Sequence, residues 1–89
     1  MGHPRFSAHE VVERGQKIYE QKIRSKMRPE DIGKFMIIDI ETGDYEMDDD
    51  EMAASRRAHA RHPEGAFFGM RVGYRTSGTL GGSWERVDL

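Results

Sequence analysis

Asp39 and Glu41 are the pair best spaced to do chemistry in this 89-residue chain. They stand two apart at the end of an apolar run. Strand side chains alternate, so this spacing predicts both carboxylates on one sheet face. Two carboxylates can begin a divalent-metal site, and two-metal phosphodiester hydrolysis needs several more converging on both ions. Asp44, the next acid, falls beyond a tight turn, and the chain after it is short. A metal-dependent phosphodiesterase using Asp39 and Glu41 is one alternative, without the further ligands it requires. His59 and His62 are three apart, a spacing at which imidazoles can share zinc. Only two ligands are evident there, and Pro63 ends the helix that would hold them. Gly78-Thr79-Leu80-Gly81-Gly82 is glycine-rich but lacks the Lys and Ser/Thr of a phosphate-binding loop. The chain has no cysteine, which removes disulfides and thiolate ligands. These residues nominate no catalytic set, no metal site and no cofactor.

The element that would position the acids is Lys34 to Met47. Phe35, Met36, Ile37, Ile38 and Ile40 are nearly continuous, which fits a strand at least partly covered on both faces. Met36, Ile38 and Ile40 share one face; Phe35, Ile37 and Asp39 share the other. Asp39 marks where that second face should meet water, since an unpaired buried carboxylate is costly. Glu41-Thr42-Gly43-Asp44 reads as a hairpin turn with Gly43 at positive φ. Tyr45 and Met47 then share one face of a short second strand.

Ser7 with Glu10 three residues later is a capping box. Two adjacent stripes, Val11/Gly15/Ile18/Lys22 and Val12/Tyr19/Ile23/Met27, predict a helix from about 8 to 27. Pro29 ends it. The second helix is predicted over 49–61, capped by Asp48, with Met47 and Met52 at the staple positions. Its packing face is modest: Met52, Ser55 or Ala54, Ala58, and His59 or His62. Ala66 to Tyr74 alternates Phe68, Met70, Val72 and Tyr74 with Phe67, Gly69, Arg71 and Gly73, a third strand. The expected architecture is α+β: a small helix–hairpin–helix–strand domain with a three- or four-stranded, mainly antiparallel sheet and two helices on one face. A flexible tail over 1–6 precedes a single domain over 7–75. Residues 76–89 form a glycine-rich extension with Trp84 and Val87 as a candidate edge strand.

The net charge is −2, unevenly distributed. Eight acids and no Lys or Arg lie from Asp39 to Glu51, and Arg56, Arg57 and Arg61 follow. Segregated charge of this kind either steers a partner or compensates itself across the surface. Arginines gathered with the basic first helix could hold phosphates, against a negative net charge, an acidic central loop and no recognition motif. No run approaches the roughly 20 apolar residues of a membrane span, and the first ten residues carry no signal-peptide pattern, so a cytoplasmic protein is expected. A core this small gains from association. The expectation is a non-catalytic protein-interaction or self-association module, a homodimer or bound to another protein. Its candidate interaction residues are Phe35, Ile37, Arg56, Arg57, Arg61, Phe67, Arg71 and Trp84.

Three resemblances bear on this. Ile38-Asp39-Ile40-Glu41-Thr42-Gly43 resembles the first motif of the DEDD exonucleases, whose ribonuclease-H-like fold is much longer than this chain. Gly33-Lys34, Ile38-Asp39, Thr42-Gly43-Asp44-Tyr45 and Arg71-Val72-Gly73 resemble the pattern of a family of small uncharacterised bacterial proteins, over roughly residues 13–75. That resemblance implies a helix–strand–turn–helix–strand order and carries no catalytic role. The hairpin, helix and following strand also look like part of a HicB-type antitoxin, which implies a toxin partner and DNA repression as an alternative. A separate DNA-binding domain is missing, and the leading helix replaces the expected first strand.

Overall fold

Phe35–Asp39 forms the central strand, β1. In the computed structural model, which describes residues 6–76 and 84–86, it is flanked by β2 (Tyr45–Asp48) and β3 (Phe67–Arg71), both antiparallel to it. Met36 stands opposite Met47 and Met70, and Ile38 opposite Tyr45 and Phe68. These cross-strand neighbours make one apolar face. The turn between β1 and β2 closes as expected: Gly43 sits at φ 82°, its N–H donating to the Asp39 carbonyl at 2.8 Å.

The first helix, α1 (Ala8–Ile18), starts from Ser7. The Ser7 hydroxyl accepts the Glu10 N–H at 3.1 Å and the Glu10 carboxylate accepts the Ser7 N–H at 3.0 Å. The predicted single helix over 8–27 changes pitch instead. The Arg24 N–H reaches back to the Tyr19 carbonyl, giving a π turn over Tyr19–Ile23, and a 3₁₀ turn follows over Arg24–Lys26. This segment sets Tyr19 and Ile23 in the main core with Met36, Ile38 and Val72. Ile18, Met27, Tyr45, Met47, Phe68 and Met70 pack around them. Burial pushes the Tyr19 hydroxyl pKa up, and no hydrogen-bond partner meets that hydroxyl among the described residues.

The second helix, α2 (Glu51–Arg61), begins two residues later than predicted. Asp50, not Asp48, caps it, accepting the Met52 N–H at 3.0 Å, while Asp48 accepts the Asp50 N–H at 2.8 Å. Met47 faces the main core and Met52 stays 68% exposed, so the expected Met47–Met52 staple gives way. Ala54 and Ala58 pack on Ile37, with Phe67 beside them. Ile37 and Phe67 alternate with Met36, Ile38 and Phe68, so α2 covers the sheet face opposite α1.

The α+β class and the three-stranded antiparallel sheet are as expected; the placement of both helices on one face is corrected. The physical reason lies in β1 and in the crossover. β2 and β3 flank β1 and run parallel to each other, so the chain between them must cross one face, and α2 does so. The larger apolar set on the other face needs its own cover, which α1 and the π turn supply. β3 also ends earlier than predicted. Val72 and Gly73, at φ 80°, form a turn, and Tyr74 begins β4 (Tyr74–Thr76). β4 pairs with β5 (Trp84–Arg86) as a separate two-stranded sheet, so Trp84 lies in a strand that does not extend the main one. The tail expected over 1–6, apart from Phe6, the glycine-rich segment over 77–83, and Val87 lie outside the described residues.

Candidate functional site

Asp39 does not face water. It is 3% exposed, and its Oδ1 accepts the Glu41 N–H at 2.9 Å. Its Oδ2 lies 3.7 Å from His62 Nδ1. Glu41, beyond the strand end, is exposed in the turn. The expected shared carboxylate face therefore breaks at Ile40, where the strand gives way to a turn and the alternation stops. Asp39 instead braces that turn and the α2 C-terminus. His62 completes the brace, its Nε2 lying 2.8 Å from Asp44 Oδ2. His59 is exposed and tilts against Phe67 with ring centroids 4.4 Å apart, so the two histidines serve different neighbours. Among the described residues no group of three or more His, Cys, Asp or Glu is arranged to hold a metal ion. No helix there is long and apolar enough to cross a membrane.

The segregated charges meet each other. Every guanidinium nitrogen of Arg57 is directed at β2: Nε to Glu46 Oε1 at 2.9 Å, Nη1 to Asp48 Oδ2 at 3.1 Å and Nη2 to the Met47 carbonyl at 3.1 Å. Arg61 donates Nη1 to Glu46 Oε2 at 2.8 Å, and its Nη2 lies 3.3 Å from Asp44 Oδ2. Arg57 and Arg61 together hold the Glu46 carboxyl below its ordinary pKa. The Asp50 N–H, and then Arg57, do the same for Asp48. Thus the acidic run and the arginines after it fasten α2 to β2, while Arg56 remains exposed.

This fixes a pH dependence. A carboxyl with a depressed folded pKa contributes its stability above the ordinary carboxylate range, and loses it as pH falls through the folded value. Urea midpoints measured from about pH 6 down to about pH 3 should fall steadily. Glu46→Gln should show a visibly smaller fall over the same window, with Asp48, Asp31 and Glu10 supplying the remainder; Asp31 is lowered first by the Arg28 N–H and then by Lys34, and Glu10 by the Ser7 N–H. Equal slopes for the two proteins would remove Glu46 from this role.

The two sheet edges differ. The Asp39 N–H donates to the Asp44 carbonyl at 2.8 Å, which sets the even-numbered residues of β2 toward β1 and the odd ones outward. The outward Met47 carbonyl is taken by Arg57. On β3, the Ile40 N–H donates to the Ala66 carbonyl and the Val72 N–H to the Lys34 carbonyl, so again the even residues face β1. The outward groups of Phe67, Gly69 and Arg71 meet no backbone or side-chain partner among the described residues. Gly69, at the centre of this edge, is exposed. Beside it, the Arg71 guanidinium lies 5.3 Å from the Phe35 ring centroid and 4.4 Å from that of Tyr74, and its Nε donates to the Gly33 carbonyl at 3.1 Å.

Of the residues singled out from sequence, Phe35, Phe67 and Arg71 flank this open edge. Ile37 is buried under α2, and Arg57 and Arg61 are engaged by β2. Gly69 was missed; its signal was a glycine in the middle of an apolar strand, which marks close backbone approach as readily as a bulge. No family model matches the chain, and neither a curated protein nor a solved structure gives a significant match.

Proposed function

We propose that this domain is a non-catalytic interaction module that takes up an additional β-strand along the outer edge of β3. One observation carries the reading: among the described residues Phe67, Gly69 and Arg71 present unpaired backbone groups around an exposed glycine, whereas on β2 the outward Met47 carbonyl is taken by Arg57. Unprotected edges template pairing, and strand addition derives affinity from main-chain hydrogen bonds. The absence of a side chain at Gly69 lets another backbone come close. Arg71, Phe35 and Phe67 then offer side-chain contacts on one face.

Gly69→Pro tests this. Proline removes the outward N–H and leaves the inner ladder, whose bonds belong to the even residues. Wild type and variant are compared by light scattering and by affinity capture with nuclease treatment, each checked by circular dichroism. An associate held by wild type, self or foreign, and lost at least tenfold by a folded Gly69→Pro supports the reading; a captured small toxin would make it antitoxin-like. An associate retained by the folded variant, or no associate for wild type in either assay, overturns it.

A further inference from the structure

We infer that the strand taken up at β3 belongs to a second copy of this chain, paired antiparallel in the register centred on Gly69. This deepens the strand-accepting reading and rests on it. In an antiparallel pair about a two-fold axis at Gly69, Gly69 faces its own copy, Phe67 faces the partner's Arg71, and Phe68 faces the partner's Met70. All the outward-pointing residues of β3 are then used at once, because Phe67, Gly69 and Arg71 pair only among themselves. A shift of the axis by one residue either way leaves an outward residue of β3 without a β3 partner. A shift by two toward the C-terminus sets Arg71 against its own copy, a like-charge pair that destabilises a sheet.

The side chains agree with the backbone. Arg71 already lies over the aromatic rings of Phe35 and Tyr74, and the Gly69 register brings Phe67 of the other copy beside the same guanidinium. On the opposite face it sets an aromatic ring against a thioether, a favourable contact. At the axis there is no side chain to crowd the pair. The interface is self-complementary, as a two-fold dimer requires. It continues the sheet across both copies and leaves the two β2 edges outermost, where Arg57 occupies the Met47 carbonyl.

Because the chain has no cysteine, the register can be read by disulfide trapping. Directly opposed residues of a hydrogen-bonded antiparallel pair have Cα atoms about 5.5 Å apart, within disulfide reach. Gly69→Cys in the full chain should cross-link to a dimer under mild oxidation at least tenfold faster than Glu51→Cys, placed on the exposed start of α2. The double variant Phe67→Cys/Arg71→Cys should cross-link between copies as well, since those positions oppose one another only in this register. Sedimentation equilibrium of the unmodified wild type should give a dimer. A monomeric wild type, or cross-linking no faster than Glu51→Cys in both variants, overturns the inference. If wild type is monomeric yet loses a foreign partner on Gly69→Pro, the strand-accepting reading survives and the second copy does not. If wild type has no associate at all, both fall.

Discussion

Replacing Gly15 by alanine destabilises this domain, although the same change inside a helix ordinarily stabilises by up to about 1 kcal/mol. The reversal comes from Phe68. A Cβ on Gly15 would overlap the Phe68 Cβ, Cγ and Cδ2. These atoms are the root of the side chain and cannot swing aside as a flexible tip could. Either α1 lifts from β3 or Phe68 leaves its place among the main core residues. Overpacking of this kind costs roughly 1–3 kcal/mol, and the upper part of that range applies here because the obstruction includes a Cβ fixed to the strand. For a domain of this size the unfolding midpoint should drop by about 10–15 °C. Thermal or urea unfolding followed by circular dichroism reads it directly. A Gly15→Ala protein as stable as wild type would mean that the α1–β3 contact is looser than described.

Ile38→Ala should cost more, about 3–4 kcal/mol. Ile38 is fully buried at the centre of the middle strand, among Tyr19, Ile23, Met36 and Val72, with Tyr45 and Phe68 as cross-strand neighbours. Those neighbours belong to several separate elements and cannot all close on the void. A domain of this length has a total stability of roughly 4–13 kcal/mol, so the variant should lose between about a quarter and nearly all of it. Val12→Ala is the internal comparison: Val12 is 42% exposed on α1 and should change stability by less than about 0.5 kcal/mol. Urea denaturation of the three proteins separates them. A loss below about 1 kcal/mol for Ile38→Ala would contradict the placement of the core.

Both residues show what kind of information each level holds. The identity of the central strand was legible because Phe35 to Ile38 is apolar on both alternating faces. The turn was legible because Gly43 is where positive φ is needed. The first capping box was legible because Ser7 and Glu10 act within a single helical turn. These are local rules, and the residues that obey them lie within a few positions of one another. The continuous run also implied cover on both sides of β1, yet which helix lay on which side depended on the crossover from β2 to β3, a relation among strands far apart in sequence.

The candidate site divides in the same way. Sequence alone determined the α+β class, the hairpin and the presence of opposed blocks of acid and arginine. Only the tertiary structure decided what those blocks do. Arg57 and Arg61 meet Glu46 and Asp44 across nine or more residues because α2 lies along β2, so charge that could have faced a partner is neutralised within the fold. Asp39 looked solvent-facing because an unpaired buried carboxylate is costly, but the turn at Ile40 folds its carboxylate back onto a backbone N–H and toward His62. Gly15 was read only as a member of the first helix's stripe, and the fold sets Phe68 in the space of its absent side chain. The openness of the β3 edge among the described residues is tertiary for the same physical reason. Whether a strand's outer hydrogen-bonding groups are satisfied depends on which elements the fold sets beside it, and no rule of local spacing contains that.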